Sequence, residues 1–427
     1  MSAFRIADIA RLRHAGQRVG ITSVCTAHPL AIEAAMLQGM ADGAPVLIEA
    51  TCNQVNQDGG YTGMTPADFG AFVLAIADRV GFDPARLMLG GDHLGPNPWR
   101  ALPAEAAMVK AEAMIAAYAR AGFTKLHLDT SMGCAGEPAA LADDVTASRA
   151  ARLAAASEAA VAEAGLPKPV YVIGTEVPVP GGATHALDHI EVTRPDAALS
   201  TVEVHRAAFA AAGLDEAFGR AIGIVVQPGV EFGHADVIPY DPTEARELAT
   251  MLERMPQFVF EAHSTDYQSA AALRALVDDG FAILKVGPGL TFALREALYA
   301  LDPIASLLDP DYAGSTLQAA MERLMLEEPD HWRRYYDGTG AALKVQRHFS
   351  YSDRIRYYWP HAEARAAVDA LLARFGHRPI PETLISQYLP RLWDKVRDGE
   401  VRPIARDLLV AAIRAALAPY SAACAAA

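Results

Sequence analysis

The stretch Leu89-Gly90-Gly91-Asp92-His93-Leu94-Gly95-Pro96-Asn97 sets an acid beside a histidine at the end of a short apolar run. A carboxylate can take or give a proton and a neutral imidazole can bind a divalent cation, so Asp92 and His93 could serve one substrate in both ways. The plainer alternative is a hydrogen-bonded pair that shapes the turn before Gly95-Pro96. Asp129, in Lys125-Leu126-His127-Leu128-Asp129-Thr130-Ser131, is a second acid/base candidate. His127, one layer deeper on the same strand face, is expected to make a structural hydrogen bond. Glu261 and His263 share strand parity, and Glu176 sits where Val177-Pro178 prevents regular continuation. His93, Glu176 and His263 would together make a metal set of two imidazoles and one carboxylate, suited to Zn²⁺, Mn²⁺ or Mg²⁺. Buried histidines and acids could instead satisfy one another.

Substrate-binding candidates lie at other run ends. Glu49-Ala50-Thr51-Cys52-Asn53-Gln54-Val55-Asn56-Gln57 is rich in amides, which donate and accept. Glu49, Asn53 and Gln54 therefore suit a polyol, unless the loop saturates its own backbone. Gly287-Pro288-Gly289 opens a helix whose free N–H groups could hold a phosphate, with Lys285 just before it as a neutralising charge. Near the C-terminus, Ser350-Tyr351-Ser352-Asp353-Arg354-Ile355-Arg356-Tyr357-Tyr358-Trp359-Pro360 offers Arg354 and Arg356 for a phosphate. The same segment would equally serve as an aromatic seam between two parts of the fold.

These candidates need elements to position them. Eight apolar runs, Gly20 to Val24, Val46 to Ala50, Leu87 to Gly91, Lys125 to Asp129, Val170 to Thr175, Ile222 to Val226, Phe258 to Ala262 and Ala282 to Val286, read as strands buried on both faces. Helical stretches separate them, clearest at Pro29 to Met40, Thr65 to Val80, Pro103 to Ala121 and Ala147 to Ala164. Strand followed by helix, eight times, predicts an α/β fold, a (β/α)8 TIM barrel with its active site at one rim. After about Ala300 strand-like runs largely vanish. The expected division is a barrel with a leading helix over residues 1–305 and a helical C-terminal extension over 306–427 that contributes to the mouth.

Composition narrows the function. Lys and Arg number 37 against 51 Asp and Glu, a formal net charge of −14, which argues against a general nucleic-acid or anionic-membrane surface. The four cysteines form no CxxC pair, and Met1 to Gly20 lacks the apolar region of a signal peptide, so a reduced, cytoplasmic protein is expected. Arg414 and Pro419 interrupt the apolar tail and argue against a membrane span. There is no GxxxxGK[ST] loop, no GxGxxG after the first strand and no GxSxG elbow, so neither ATP in a P-loop nor a Rossmann-bound NAD is expected.

The motifs resemble the GatZ/KbaZ family of tagatose-phosphate metabolism. The likeness rests on Gly20 to Leu30, Leu47 to Gln57, Gly59-Gly60-Tyr61-Thr62-Gly63-Met64, Gly90 to Asn97 and Ser352 to Trp359, and spans about residues 8 to 420. The resemblance implies either the companion subunit of a class II tagatose-1,6-bisphosphate aldolase, whose other subunit carries zinc, or a ketose-phosphate 4-epimerase. Some members carry a tagatose-6-phosphate kinase label, which the missing P-loop does not support. A more distant similarity to class II aldolases implies an acid/base and a zinc ligand at Asp92 and His93, and a zinc histidine at His263. Where those aldolases place another histidine, this chain has Gln227, with Glu231 a few residues on, and so departs from their pattern.

The C4 proton of a 2-ketose is not next to the carbonyl, so inversion at C4 is best reached by breaking and remaking C3–C4 through an enediolate and an aldehyde. The expected activity is interconversion of tagatose 6-phosphate and fructose 6-phosphate. Asp92 and Asp129 would move protons, and His93, Glu176 and His263 would hold the metal. Lys285, Arg354 and Arg356 would receive phosphate, while Glu49, Asn53 and Gln54 would orient hydroxyls. A homo-oligomer is expected, with a class II aldolase subunit as the alternative partner. Aldolase activity in its own right is a third reading.

Overall fold

The computed structural model describes residues 4–174, 190–313 and 316–425. Eight parallel strands close into a barrel in chain order: β1 Ile21–Cys25, β2 Val46–Thr51, β3 Leu87–Leu94, β4 Lys125–Leu128, β5 Val170–Ile173, β6 Ala221–Val225, β7 Val259–Ala262 and β8 Ile283–Val286. β8 closes onto β1 through the pairs Ile21 with Ile283 to Val24 with Val286. Each strand expected from its apolar run is present. The main difference is β3, which continues to Leu94 past a register shift between Gly91 and Leu94, so Asp92 and His93 lie inside the strand.

Helices Pro29–Asp42, Pro66–Val80, Ala104–Arg120, Asp143–Ala164, Pro195–Ala211, Pro242–Met251, Ala270–Asp278 and Pro288–Leu308 follow the successive strands. Local chemistry starts several of them. Thr65 accepts from the Asp68 N–H while the Asp68 carboxylate takes the Thr65 N–H, a reciprocal cap before the N1 proline. Asp241 caps the helix Pro242–Met251 in a similar way through the Thr243 N–H.

Side chains inside the barrel are layered by depth. At the bottom, Ile21, Leu47, Val172, Val259 and Ile283 pack with Ile6, Ile9 and Ala10 of the leading segment, whose helix Ile9–His14 seals that end. Burying each of the larger aliphatic side chains is worth about 1.5–3 kcal/mol. Two residues further along the same strand faces, the lumen changes from apolar to ionic, and the active-site rim begins above that.

The chain after the barrel is helical, with helices Thr316–Glu327, Gly340–Phe349, Ala362–Phe375, Glu382–Tyr388, Pro390–Arg397 and Ala405–Cys424. The expected division after residue 305 falls inside the helix Pro288–Leu308. Ala405–Cys424 is long and apolar enough to cross a membrane, yet it buries Leu408, Leu409, Ile413, Leu417 and Tyr420 in the same core as the barrel helices. Arg406 at its start fixes the register by donating to both oxygens of the buried Glu33, at 2.8 and 2.6 Å.

Candidate active site

The strands converge on three histidines. His93 of β3, His127 of β4 and His263, one residue past β7, form a triangle with ring centroids 5.2, 5.3 and 4.9 Å apart. In each ring one nitrogen is anchored. His93 Nδ1 lies 2.8 Å from Asp129 Oδ2, His127 Nδ1 lies 3.1 Å from Asp92 Oδ1, and His263 Nε2 lies 2.9 Å from Glu261 Oε1. The remaining nitrogens, His93 Nε2, His127 Nε2 and His263 Nδ1, make no hydrogen bond among the described residues, and His127 Nε2 is fully buried. A buried imidazole whose far nitrogen is held by a carboxylate and whose near nitrogen is unsatisfied is the arrangement found at metal ligands.

Two glycines allow these close approaches. A Cβ on Gly95 would fall 1.7 Å from the Asp129 carbonyl oxygen, so only glycine lets the end of β3 pass beside Asp129. A Cβ on Gly90 would fall 2.3 Å from Glu49 Oε1 and displace that side chain from the lumen.

Beneath the histidines lies a closed ring of alternating charge. Lys125 Nζ bridges Glu49 Oε1 at 2.8 Å and Glu261 Oε2 at 2.6 Å, and Lys285 Nζ reaches Glu49 Oε2 and, at 3.6 Å, Glu261 Oε1. Lys285 also lies 2.8 Å from Asp92 Oδ1, which ties the ring to the rim. Burial alone would neutralise these groups. Mutual attraction outweighs it: the two lysines are held above their ordinary pKa, while Glu49, Glu261, Asp92 and Asp129 are held below theirs. Burial pushes His263 down to about 4, so that ring is neutral. For His93 burial is more than offset by Asp92 and Asp129, and its pKa is raised. Four ionised carboxylates face two ammonium groups here, and even a protonated His93 leaves the cluster short of positive charge.

One atom from each of Asp92, His127, Glu261 and His263 lies within 4.8 Å of all the others, so the residues present could hold a metal ion. Glu261 is nonetheless already engaged through both oxygens by His263 and by Lys125, whereas the three imidazoles each keep a nitrogen free. His127 and His263 are the better donors on that ground, and His93, whose Nε2 lies 3.9 Å from Asp92 Oδ2, stands outside that set.

Several expected residues take other positions. Glu176 lies outside the described residues. Glu49 is sealed, with both oxygens committed to lysines and to the Ser23 hydroxyl at 2.5 Å, because its layer lies below the rim; it has no oxygen left for a sugar. Lys285 is likewise surrounded by the carboxylates of Glu49, Asp92 and Glu261. Arg354 donates from Nε to the His331 carbonyl and stacks on Tyr335, 3.4 Å from the ring centre, so it serves as a seam. The Gly287 and Gly289 N–H groups donate to Asp266 Oδ1 at 3.1 and 2.7 Å, so this carboxylate occupies the expected phosphate cradle. Gln54 is folded back, its Oε1 accepting the Thr51 N–H at 2.9 Å, whereas the Asn53 side-chain amide makes no hydrogen bond among the described residues.

Arg356 stays at the mouth. It donates to the Ser352 and Asp353 carbonyls and to the Tyr357 hydroxyl at 3.0 Å, and its charge acts on Tyr61 in the β2 loop and on Asp266 after β7. The Tyr61 and Tyr357 rings meet edge-on at 4.9 Å. Latches hold this segment on the rim: Thr291 Oγ1 donates to Asp353 at 2.5 Å, and the Tyr267 hydroxyl donates to the Tyr351 carbonyl at 2.6 Å.

The roles of His127 and Lys125 are missed when β4 is read locally. Alternation Lys125, His127, Asp129 along one face is the signal that could have revealed them. Among the described residues, four other than glycine have positive φ, His93 (49°), Ser264 (54°), Tyr267 (65°) and Asp353 (46°), and all lie at this end of the barrel or in the segment latched to it. Such backbone costs about 1–3 kcal/mol per residue and gathers where function requires it.

A curated relative from Agrobacterium fabrum (strain C58 / ATCC 33970), named D-tagatose 6-phosphate 4-epimerase, is 56% identical over 416 residues, covering 97% of each chain. A crystal structure of a protein from Sinorhizobium meliloti 1021, described as a probable tagatose 6 phosphate kinase, superposes with a TM-score of 0.89 at 61% identity, covering 95% of this chain and all of the other. The model of the D-tagatose-1,6-bisphosphate aldolase subunit GatZ/KbaZ-like family matches residues 6–425, and the chain belongs to that family.

Proposed function

We propose that this protein is a ketose-phosphate 4-epimerase that interconverts D-tagatose 6-phosphate and D-fructose 6-phosphate. The observation that carries the reading is the triangle of three anchored imidazoles with Asp92 beside it, in a chain 56% identical to a relative named for that reaction. His93, His127 and His263 would hold a divalent ion, Zn²⁺, Mn²⁺ or Mg²⁺, which supplies Lewis-acid stabilisation to the oxygens of an enediolate.

The residues of the chain do the rest. Among the described residues Asp92 Oδ2 makes no hydrogen bond and has His93 Nε2 at 3.9 Å, while Lys285 and His127 hold its other oxygen; this supports Asp92 as the group that takes the proton from the substrate O4 hydroxyl. Loss of that proton lets C3–C4 break, with the bonding pair passing to the three-carbon enediolate and C4 becoming the aldehyde of glyceraldehyde 3-phosphate. Rotation of the aldehyde and reclosure invert C4. Asp129 has Oδ2 on His93 and Oδ1 on the Ser131 hydroxyl at 2.8 Å, so it orients His93 rather than exchanging protons with substrate. Arg356, with Tyr61 and Tyr357, would receive the phosphate, and the Asn53 amide a hydroxyl. A phosphorylated substrate cannot cross a bilayer unaided, which supports a cytoplasmic location.

Purified protein incubated with tagatose 6-phosphate and each metal, with and without ATP, tests the reading. Metal-dependent formation of fructose 6-phosphate without ATP is expected. Failure with every metal would sink it. ATP-dependent phosphorylation would favour a kinase, and accumulation of free triose would favour an aldolase.

A further inference from the structure

The segment 350–360 spans three of the loops at the mouth. Tyr351 accepts from Tyr267 after β7, Asp353 accepts from Thr291 in the helix after β8, and Tyr357 meets Tyr61 after β2. Tyr267 stands four residues past His263 and Thr291 six past Lys285, so the segment lies over the ends of strands that carry the site. Within it Arg356 is tied at three donors. Its N–H donates to the Asp353 carbonyl at 3.0 Å, its Nη1 to the same carbonyl at 3.1 Å and to the Ser352 carbonyl, and its Nη2 to the Tyr357 hydroxyl at 3.0 Å. Nε has no acceptor among the described residues and is not sealed from solvent. Nε and Nη2 share the guanidinium edge that meets a phosphate with two parallel bonds.

The Asp353 carbonyl thus holds Arg356 at both its backbone and its guanidinium, and the conformation of Asp353 decides where that carbonyl points. Asp353 has φ 46°, a left-handed backbone that a residue with a side chain adopts when its surroundings impose it. Its side chain is buried; Oδ2 takes the Thr291 hydroxyl at 2.5 Å and Oδ1 is sealed with no hydrogen-bond partner among the described residues. A buried carboxyl with an idle oxygen weakens a fold. Docking of the segment does not depend on it, because the Tyr351 N–H donates to the His234 carbonyl at 2.9 Å and Arg354 Nε donates to the His331 carbonyl. Two contacts set the Asp353 carbonyl itself: the Thr291 bond, and the Arg354 N–H on the same peptide donating to the Tyr336 hydroxyl at 3.2 Å. The shorter bond, to a carboxyl oxygen, is the stronger of the two.

We infer that Asp353, held by Thr291, is a positioning residue that aims the open edge of Arg356 at the substrate phosphate, and so sets how strongly the site favours a 6-phosphorylated ketose. Asp353 touches no substrate atom and moves no proton; it acts through the carbonyl that grips Arg356. This inference rests on the epimerase reading above and on the phosphate role given there to Arg356.

Steady-state kinetics of the metal-loaded protein, with inorganic phosphate as competing anion, test it. In Thr291→Val, which keeps the shape and removes the donor, Ki for phosphate should rise about tenfold or more, and kcat/KM for tagatose 6-phosphate should fall in step. Phosphate competing at a metal ion would be indifferent to this substitution. Asp353→Gly, which accepts a positive φ without the carboxyl, should show the same change and covers the case of a misfolded Val variant. Asp353→Asn, which still accepts from Thr291, should rescue most of the loss. Added to Arg356→Ala, Thr291→Val should lower kcat/KM no further, because the two act through one grip. Additive losses in that double variant, or an unchanged Ki in Thr291→Val and Asp353→Gly, would overturn the assignment. So would a wild-type protein that converts tagatose 6-phosphate without competition from phosphate. A wild-type protein that converts none overturns the functional reading itself, before any variant is made.

Discussion

His93 and Asp129 are joined at 2.8 Å between Nδ1 and Oδ2, although their strands reach the rim with different geometry, β3 running through Asp92 and His93 and β4 ending at Leu128. The contact leaves Nε2 of His93 without a hydrogen bond among the described residues, 3.9 Å from Asp92 Oδ2.

Loss of this anchor should weaken metal binding more than it weakens the fold. Asp129→Ala is expected to lower metal affinity by about 10–100-fold, the usual effect of removing a carboxylate behind a ligating histidine. Titration calorimetry against Zn²⁺ or Mn²⁺ checks this, and unchanged affinity would remove Asp129 from the site.

Chelation should act on stability as well as on rate. An ion held at about 100 times its dissociation constant adds about 2.7 kcal/mol to the folded state, so removing it should lower the Tm and abolish epimerisation, both reversibly. A Tm indifferent to chelator and to added metal would count against the triangle as an ion site.

The ionic ring under the site should be sensitive to removal of one cation. Lys125→Met leaves Glu49 and Glu261 sharing Lys285 alone in a sealed layer, and breaking a buried pair in this way costs about 3–5 kcal/mol. Urea unfolding measures the loss. The triple replacement Lys125→Met with Glu49→Gln and Glu261→Gln should recover part of it.

The latch at Asp353 carries a pH signature. Burial raises its pKa to about 7, well above the usual aspartate value, so between about pH 4 and 7 the folded chain binds a proton that the unfolded chain lacks. That contribution to stability is full below the ordinary aspartate pKa and is lost as pH rises through 7. Asp353→Asn, which can still accept from Thr291, should therefore raise the Tm relative to wild type at pH 8 and show little difference at pH 4. Equal differences at both pH values would show that Asp353 titrates normally.

The barrel was legible because its cause is local. A parallel strand covered on both faces must be apolar at nearly every position, and eight such runs separated by helical spacing leave few topologies. Asp92, His93 and His263 could be singled out because they end such runs with groups that burial would not otherwise favour. Depth was not legible in the same way. Residues two apart on a strand share a face but lie about 7 Å apart along the strand, so parity alone cannot separate the lumen from the rim. Glu49 and Lys285 fall in the sealed ring for that reason, and His127 rises into the triangle two residues above Lys125.

The amino-acid order by itself determined the strand-helix alternation, the polar run ends and the family motifs, since each depends on neighbours in the chain. Only the tertiary structure decided which of those ends share a centre. Lys125 and Lys285 stand on strands half a barrel apart, and they bridge the same two glutamates because ring closure brings opposite walls within reach of a side chain. The same closure assigned Asp266 to the glycine cradle and set Glu231 beside Ser264. Coulomb attraction and the cost of burying an unpaired charge act through space, and their outcome follows from distances that a linear pattern does not contain.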